Sequence, residues 1–241
     1  MVLVAMLTLA LSIGAALPFG QVSGVRLGAS IAEAQSRQIL RDSETETLLR
    51  DMAAPIFHAA GISRNAVRLG IIEDSSLNAF VTQGLNMFFH TGLLLEAKTP
   101  EEVIGVIAHE TGHIAGGHLI RLRENIRSAS TQAILTTILG LAAAIGSGRG
   151  EVGAAIISGG QQLANRSFLS FSRAQEASAD SAGLAFLEQS GNSAHGFLRF
   201  MERLGEQDLL PANRQVEYAR THPLTRNRVD AIRAYIEREN Q

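Results

Sequence analysis

The chain has 241 residues, a formal net charge of −2 and 46% hydrophobic residues, enough for one globular domain with a sizeable core. Its 21 basic residues are scattered, which excludes the electrostatic footprint of a nucleic-acid binder. With no cysteine it can form no disulfide, no Cys-ligated metal site and no lipidated cysteine, so any metal must be held by histidines and carboxylates.

The first stretch, "MVLVAMLTLALSIGAALPFG", is apolar to Gly20, and "AEAQ" at residues 32–35 offers an A-x-A cleavage site after Ala34. Residues 1–34 are therefore expected to be a signal peptide, with the mature chain starting at Gln35, or else an N-terminal membrane anchor. No Lys or Arg precedes the apolar run, and the A-x-A lies far from it. Residues 35–241 are expected to form the single folded domain.

From Asp42 to Ala60 an acidic start, apolar residues at helical spacing and a stop at Gly61 predict a helix. Alternation at Val67, Leu69 and Ile71 predicts a strand, and "LNAFVTQGLNMFFHTG" reads as two short strands turning at Gln83–Gly84. "TPEEVIGVIAHETGHIAGGHLIRLRE" predicts a helix capped by Thr99, with Pro100 first and Glu101 and Glu102 at its positive end. Residues 131–164 are rich in Gly, Ala and Ile; the apolar run Ala133–Gly146 has 14 residues, short for a bilayer span. A buried helical hairpin broken at "GSGRGE" is expected there, the competing reading being a surface across 131–160 that touches membrane or a partner. Helices are expected at 172–190, 193–205 and 225–239, so the fold class is α+β, mainly helical, with one small sheet.

The chemistry concentrates in "HETGH" at 109–113. Four helical residues turn by about 400°, which puts His109 and His113 on one face, where two imidazoles can share one Zn²⁺. Glu110 beside them can accept the proton of a metal-activated water. A bare HExxH also arises by chance on helices, so the class depends on a third ligand. The extended motif HExxHxxGxxH fails here: Gly116 fits, residue 119 is leucine, and on a continuing helix His118 points about 140° away from His113. His118 is thus expected to be an exposed or packing residue. "SRAQEASADSAGLAFL" offers Glu176, which could complete a His-His-Glu site, and Asp180, which could accept the free ring N–H of a liganding histidine. The plainer account of this acid pair is a solvated helix face, but the small residues around it suit close helix packing.

Three stretches carry a family resemblance: "NAFVTQGLNMFFHTGLLLEAKTPEEVIGVIAHETGHIAGGH", "SRAQEASADSAG" and "THPLTRNRV", together running from about residue 78 to 229. In them the chain resembles the HExxH zinc metallopeptidases of the BepA, LoiP and HtpX group, peptidase family forty-eight, and most of all its exported BepA-like branch. The resemblance implies a gluzincin-like domain binding one zinc through His109, His113 and Glu176, with Glu110 as general base. It also makes His222 and Arg228, from the family's HPxxxxR element, candidates beside the metal. One of them could steady an oxyanion, or a late histidine loop could cover the zinc and hold the enzyme latent; a simple turn histidine before Pro223 is the alternative for His222. In zinc peptidases an extended substrate pairs with an edge strand, here expected at Asn78, Ala79 and Phe80; the competing account is a core hairpin filled by Phe80, Phe88 and Phe89. Within these 241 residues no tetratricopeptide helices follow Arg228, no cysteine is available for LoiP-type lipidation, and the several spans of HtpX are missing.

The expected function is a zinc endopeptidase of the periplasm cutting unfolded or misassembled envelope proteins, with outer-membrane assembly machinery as a further partner. The alternative is a latched, chaperone-like binding module assisting that assembly. An intact Glu110 favours the enzyme, since binding alone needs no general base.

Overall fold

The computed structural model describes residues 38–208 and 217–239, so the expected leader lies outside the described residues. Four strands, β1 (Gln38–Leu40), β2 (Arg68–Glu73), β3 (Ala79–Thr82) and β4 (Asn86–His90), form one sheet in the order β1-β2-β4-β3. β1 and β3 run antiparallel to their neighbours, whereas β2 and β4 are parallel, with Gly70 opposite Phe88. The β3–β4 turn falls at the expected place: Gly84 and Leu85 both adopt positive φ, at 77° and 55°. β1 was not legible in the sequence, being three exposed residues long.

Around the sheet stand α1 (Ser43–Ala59), the short α2 (Thr91–Glu96), α3 (Pro100–Ala115), α4 (His118–Ser147), α5 (Gly150–Gln189), α6 (His195–Asp208), the short α7 (Glu217–Thr221) and α8 (Arg226–Glu239). The core is shared by the sheet, α1, α3, α6 and α8; Phe57, Phe89, Ile107, Phe197 and Phe200 are all fully buried or nearly so. Each such side chain contributes about 1.5–3 kcal/mol through removal from water. Asp42 starts α1 by accepting the Thr45 amide proton at 2.7 Å.

Two expectations need correction. The helix carrying HETGH does not run on: it ends at Ala115, Gly117 takes φ +62°, and α4 begins at His118. A left-handed residue cannot continue a right-handed helix, and only glycine adopts it without strain. The hairpin at 131–164 is helical, turning at Gly148, but it is not buried. Ile134, Leu135, Ile138, Leu139, Leu141 and Ile145 are 54–84% exposed. Its two arms meet through small residues instead, so that a Cβ on Gly140 would lie 2.8 Å from the Gly153 carbonyl oxygen.

Thr99 stands at the N-cap of α3, but its side chain makes no capping bond. Glu102 ties the helix start down instead, accepting the Lys98 amide at 3.0 Å and two bonds from Arg203 at 2.7 and 3.0 Å. Burial opposes ionisation of Glu102, yet Arg203 and the Lys98 amide hold its carboxyl below the usual carboxylate range. A carboxyl with a folded pKa below its unfolded one adds stability above the unfolded value and loses it as pH falls through the folded one. Glu102→Gln should therefore lower the unfolding free energy by about 1–3 kcal/mol at neutral pH. Urea titrations repeated toward about pH 3 should show that deficit shrinking, and a deficit constant with pH contradicts the assignment.

Candidate active site

The site forms where α3 and α5 cross with their backbones in contact. Gly112 permits this: a Cβ there would sit 2.5 Å from the Ala179 carbonyl oxygen, so any other residue would push the helices apart. The crossing brings one face of α3 (His109, Glu110, His113) against one face of α5 (Glu176, Asp180), and all five side chains are buried.

His109 Nε2 lies 3.1 Å from His113 Nε2 and 3.4 Å from Glu176 Oε2, and His113 Nε2 lies 3.4 Å from Glu176 Oε1. His222 enters from the turn after α7, its Nδ1 3.3 Å from Glu176 Oε2 and 3.4 Å from His109 Nε2. Four potential ligand atoms, one each from His109, His113, Glu176 and His222, thus stand within 4.8 Å of one another. Three imidazoles and a carboxylate make a donor set suited to zinc or a similar divalent ion. Glu110 is fully buried, and neither of its oxygens accepts a hydrogen bond among the described residues, although His222 Nε2 is 3.3 Å from Oε1. Its orphaned carboxylate beside the cluster is the kind of group that an ion and a water would satisfy.

Behind the ligand atoms, Asp180 Oδ1 lies 2.8 Å from His109 Nδ1. Arg228 donates to Asp180 through Nε at 2.6 Å and Nη2 at 2.8 Å, and its Nη1 lies 3.0 Å from Glu176 Oε2. The same Nη1 donates to the Pro223 carbonyl at 3.0 Å, so the guanidinium is committed to the two acids and to the turn carrying His222. Burial alone would lower the His109 imidazole, but Asp180 and Glu176 raise it to about 9. Burial takes His113 down to about 3 and pushes the Glu110 carboxyl up. Asp180 reaches about 2 and Glu176 lies still lower, because burial is outweighed in the one by Arg228 and His109 and in the other by the three histidines.

β3 is an edge strand, and the stretch leading into it is covered by the segment that carries His222. The Tyr218 amide donates to the Leu77 carbonyl at 3.0 Å and the Thr221 hydroxyl to Asn78 Oδ1 at 3.2 Å. His222 Nε2 stands 3.3 Å from the Ala79 carbonyl oxygen. Asn78 and Ala79 are buried, whereas Phe80 is half-buried, its ring 5.7 Å from that of Phe88. A further staple, Ser76 Oγ, donates to Glu217 at 2.9 Å.

Two neighbours of the site escaped the sequence reading. Tyr218 is fully buried with its ring 4.6 Å from that of His222, and no motif marks it. His118 is only 2% exposed, with Nδ1 3.0 Å from Nδ1 of His113. The expected divergence of His118 from His113 assumed a continuous helix, and the Gly116–Gly117 pair was the signal that the helix stops.

The profile of peptidase family M48 matches residues 40–236. The beta-barrel assembly-enhancing protease of Escherichia coli K12 is 26% identical over 159 residues, which is 66% of this chain and 32% of that protein. The metalloprotease LoiP of the same organism is 31% identical over 176 residues, 71% of this chain and 64% of LoiP. The mitochondrial metalloendopeptidase OMA1 of Schizosaccharomyces pombe is 28% identical over 181 residues, 75% of this chain and 50% of OMA1. The match thus spans about a third of the assembly-enhancing protease and more of the other two.

Removing one partner from a buried ionic network leaves the others uncompensated, at a cost of about 3–5 kcal/mol. Arg228→Ala should therefore destabilise the metal-free protein by that order, measured by urea unfolding. Arg228→Lys should recover only part of it, since a lysine cannot form the bidentate pair with Asp180. A loss below about 1 kcal/mol would show that the network is not what holds the two acids.

Proposed function

The chain belongs to peptidase family M48, and from the geometry of its site we propose that it is a zinc-dependent endopeptidase acting on unfolded or misassembled polypeptides of the cell envelope. The observation that carries this reading is Glu110: a buried carboxylate, without a hydrogen bond among the described residues, set beside a His-His-Glu cluster. A purely structural metal site has no use for such a group.

His109, His113 and Glu176 are the proposed ligands, one zinc per chain, and an HExxH metal of this kind supplies Lewis acidity toward a peptide carbonyl and toward water. Glu110 takes the proton of the attacking water and returns it to the leaving amine. Asp180, its Oδ1 2.8 Å from His109 Nδ1, is the group placed to fix which ring nitrogen is free for the metal. Arg228 acts as a positioning residue for Asp180, Glu176 and the His222 turn.

His222 has a separate role in this reading. Its Nδ1 stands where a fourth ligand would, and its segment lies along Leu77–Ala79, where an extended substrate would pair as a strand. We read it as a latch that must swing aside before a peptide reaches Glu110. The burial of all the ligand groups also favours a second reading, a latched, chaperone-like module assisting outer-membrane protein assembly, a role suggested by the names of the assembly-enhancing relatives. Periplasmic residence and contact with the assembly machinery belong to the same proposal, and the names of these relatives support the second of them.

The hairpin of α4 and α5 supports peripheral membrane contact through residues 131–160. Small residues fill its seam while Ile134, Leu135, Ile138, Leu139, Leu141 and Ile145 face outward, the reverse of a helical pair built for water. No charged residue occurs from Ser128 to Gly148, and Arg127 and Arg149 bound that run.

Casein cleavage at matched zinc content tests the chemistry. Glu110→Gln should reduce the rate by about 10²–10⁴-fold, and His222→Ala should raise it. Equal cleavage by parent and Glu110→Gln would remove the general-base assignment. Inertness of all three, each with one zinc, would favour the binding module. Flotation with phosphatidylethanolamine–phosphatidylglycerol vesicles tests the hairpin: the parent should float, while Leu135→Asn combined with Ile138→Asn and Leu139→Asn should stay with the soluble fraction. Retention of the triple variant on vesicles would argue against lipid contact by this face.

A further inference from the structure

The break between α3 and α4 has a chemical result. Gly117 turns the chain with φ +62°, and His118, first residue of α4, folds back over the end of α3 instead of following it. Its ring lies against Gly116, where a Cβ would sit 2.3 Å from His118 Nε2, so the ring occupies space that only a glycine leaves open. The imidazoles of His118 and His113 meet edge to face, centroids 4.9 Å apart at 82°, with the two Nδ1 atoms 3.0 Å apart. The other nitrogen of His113, Nε2, faces His109 and Glu176.

Two facing nitrogens at hydrogen-bond distance require one proton between them. If Nε2 of His113 offers its lone pair to a metal, the ring's proton must be on Nδ1, and His118 Nδ1 must accept it. We propose that His118 is a positioning residue of the metal centre, which accepts the Nδ1–H of His113 and thereby fixes both the tautomer and the ring orientation of that ligand. The proposal rests on the metallopeptidase reading of His113. It makes the two histidine ligands alike in being supported from behind: His109 leans on Asp180, and His113 leans on a neutral imidazole. Gln175, next to Glu176 on α5, lies with Nε2 3.4 Å from the His118 carbonyl oxygen, so the support touches the helix that brings the carboxylate ligand.

The test is zinc affinity, measured by competition with a chromophoric chelator, beside thermal unfolding of the metal-free proteins. Loss of a partner behind a ligating histidine weakens metal binding by about 10–100-fold, and His118→Ala should fall in that range. His118→Asn, whose amide oxygen can stand near the position of Nδ1, should recover most of the affinity. Gly116→Ala should displace the ring and weaken zinc comparably, and the double variant Gly116→Ala with His118→Ala should be no weaker than either alone. A residue that only fills space would be replaced as well by leucine, which has no acceptor, as by asparagine. Affinity unchanged within about twofold in His118→Ala, with the parent binding zinc, would sink this assignment alone, since a loss of at least tenfold is expected. A parent that binds no zinc would sink the metallopeptidase reading with it.

Discussion

The close contact of two helix backbones, at Gly112 of α3 and Ala179 of α5, is the constraint on which the site depends. Helix axes kept apart by ordinary side chains would leave Glu176 and Asp180 too distant to meet His109 and His113. The contact also creates an electrostatic problem, because it buries Glu110, Glu176 and Asp180 together. Arg228 answers part of it by bonding to two of these acids at once. In the metal-free protein His109, raised to about 9 by Asp180 and Glu176, supplies the second positive charge, and a divalent cation would take over that part by displacing its proton.

The same crowding explains how access can be controlled. His222 reaches the His109–His113–Glu176 cluster from the turn after α7, and that turn is held by Arg228 through the Pro223 carbonyl. α7 itself is stapled to the strand region by Tyr218, Thr221 and Glu217. Moving that turn means breaking these hydrogen bonds, each contributing about 0.5–1.5 kcal/mol, and loosening the Arg228 bonds to the turn, while the buried Tyr218 ring anchors α7 in the core. On the proposed latch reading, a substrate strand would compete for the same backbone groups.

Much of this was legible in the sequence because the chemistry is local. HETGH puts two imidazoles and a carboxylate on one helical face by period alone, and the small residues around Glu176 and Asp180 announced a close helix contact. Two things were not legible, for different physical reasons. The Gly116–Gly117 pair is a helix stop signal, but the helical spacing of the residues beyond it masked the stop, and only the left-handed Gly117 shows where His118 is carried. The exposure of Ile134 through Ile145 was hidden because an apolar stretch has the same composition whether protein or lipid covers it. The family resemblance added His222 and Arg228, which neither periodicity nor spacing would have singled out, and the geometry then gave the arginine partners that no motif names.

The measurement that bears most directly on the account is zinc K-edge X-ray absorption of the purified protein. The account predicts stoichiometric zinc with three imidazole nitrogens and one carboxylate oxygen at about 2.0–2.2 Å in the latched state, falling to two imidazoles in His222→Ala. Zinc absent, or bound with the same imidazole count in parent and His222→Ala, would contradict it: the first would remove the metal centre, and the second would remove the latch.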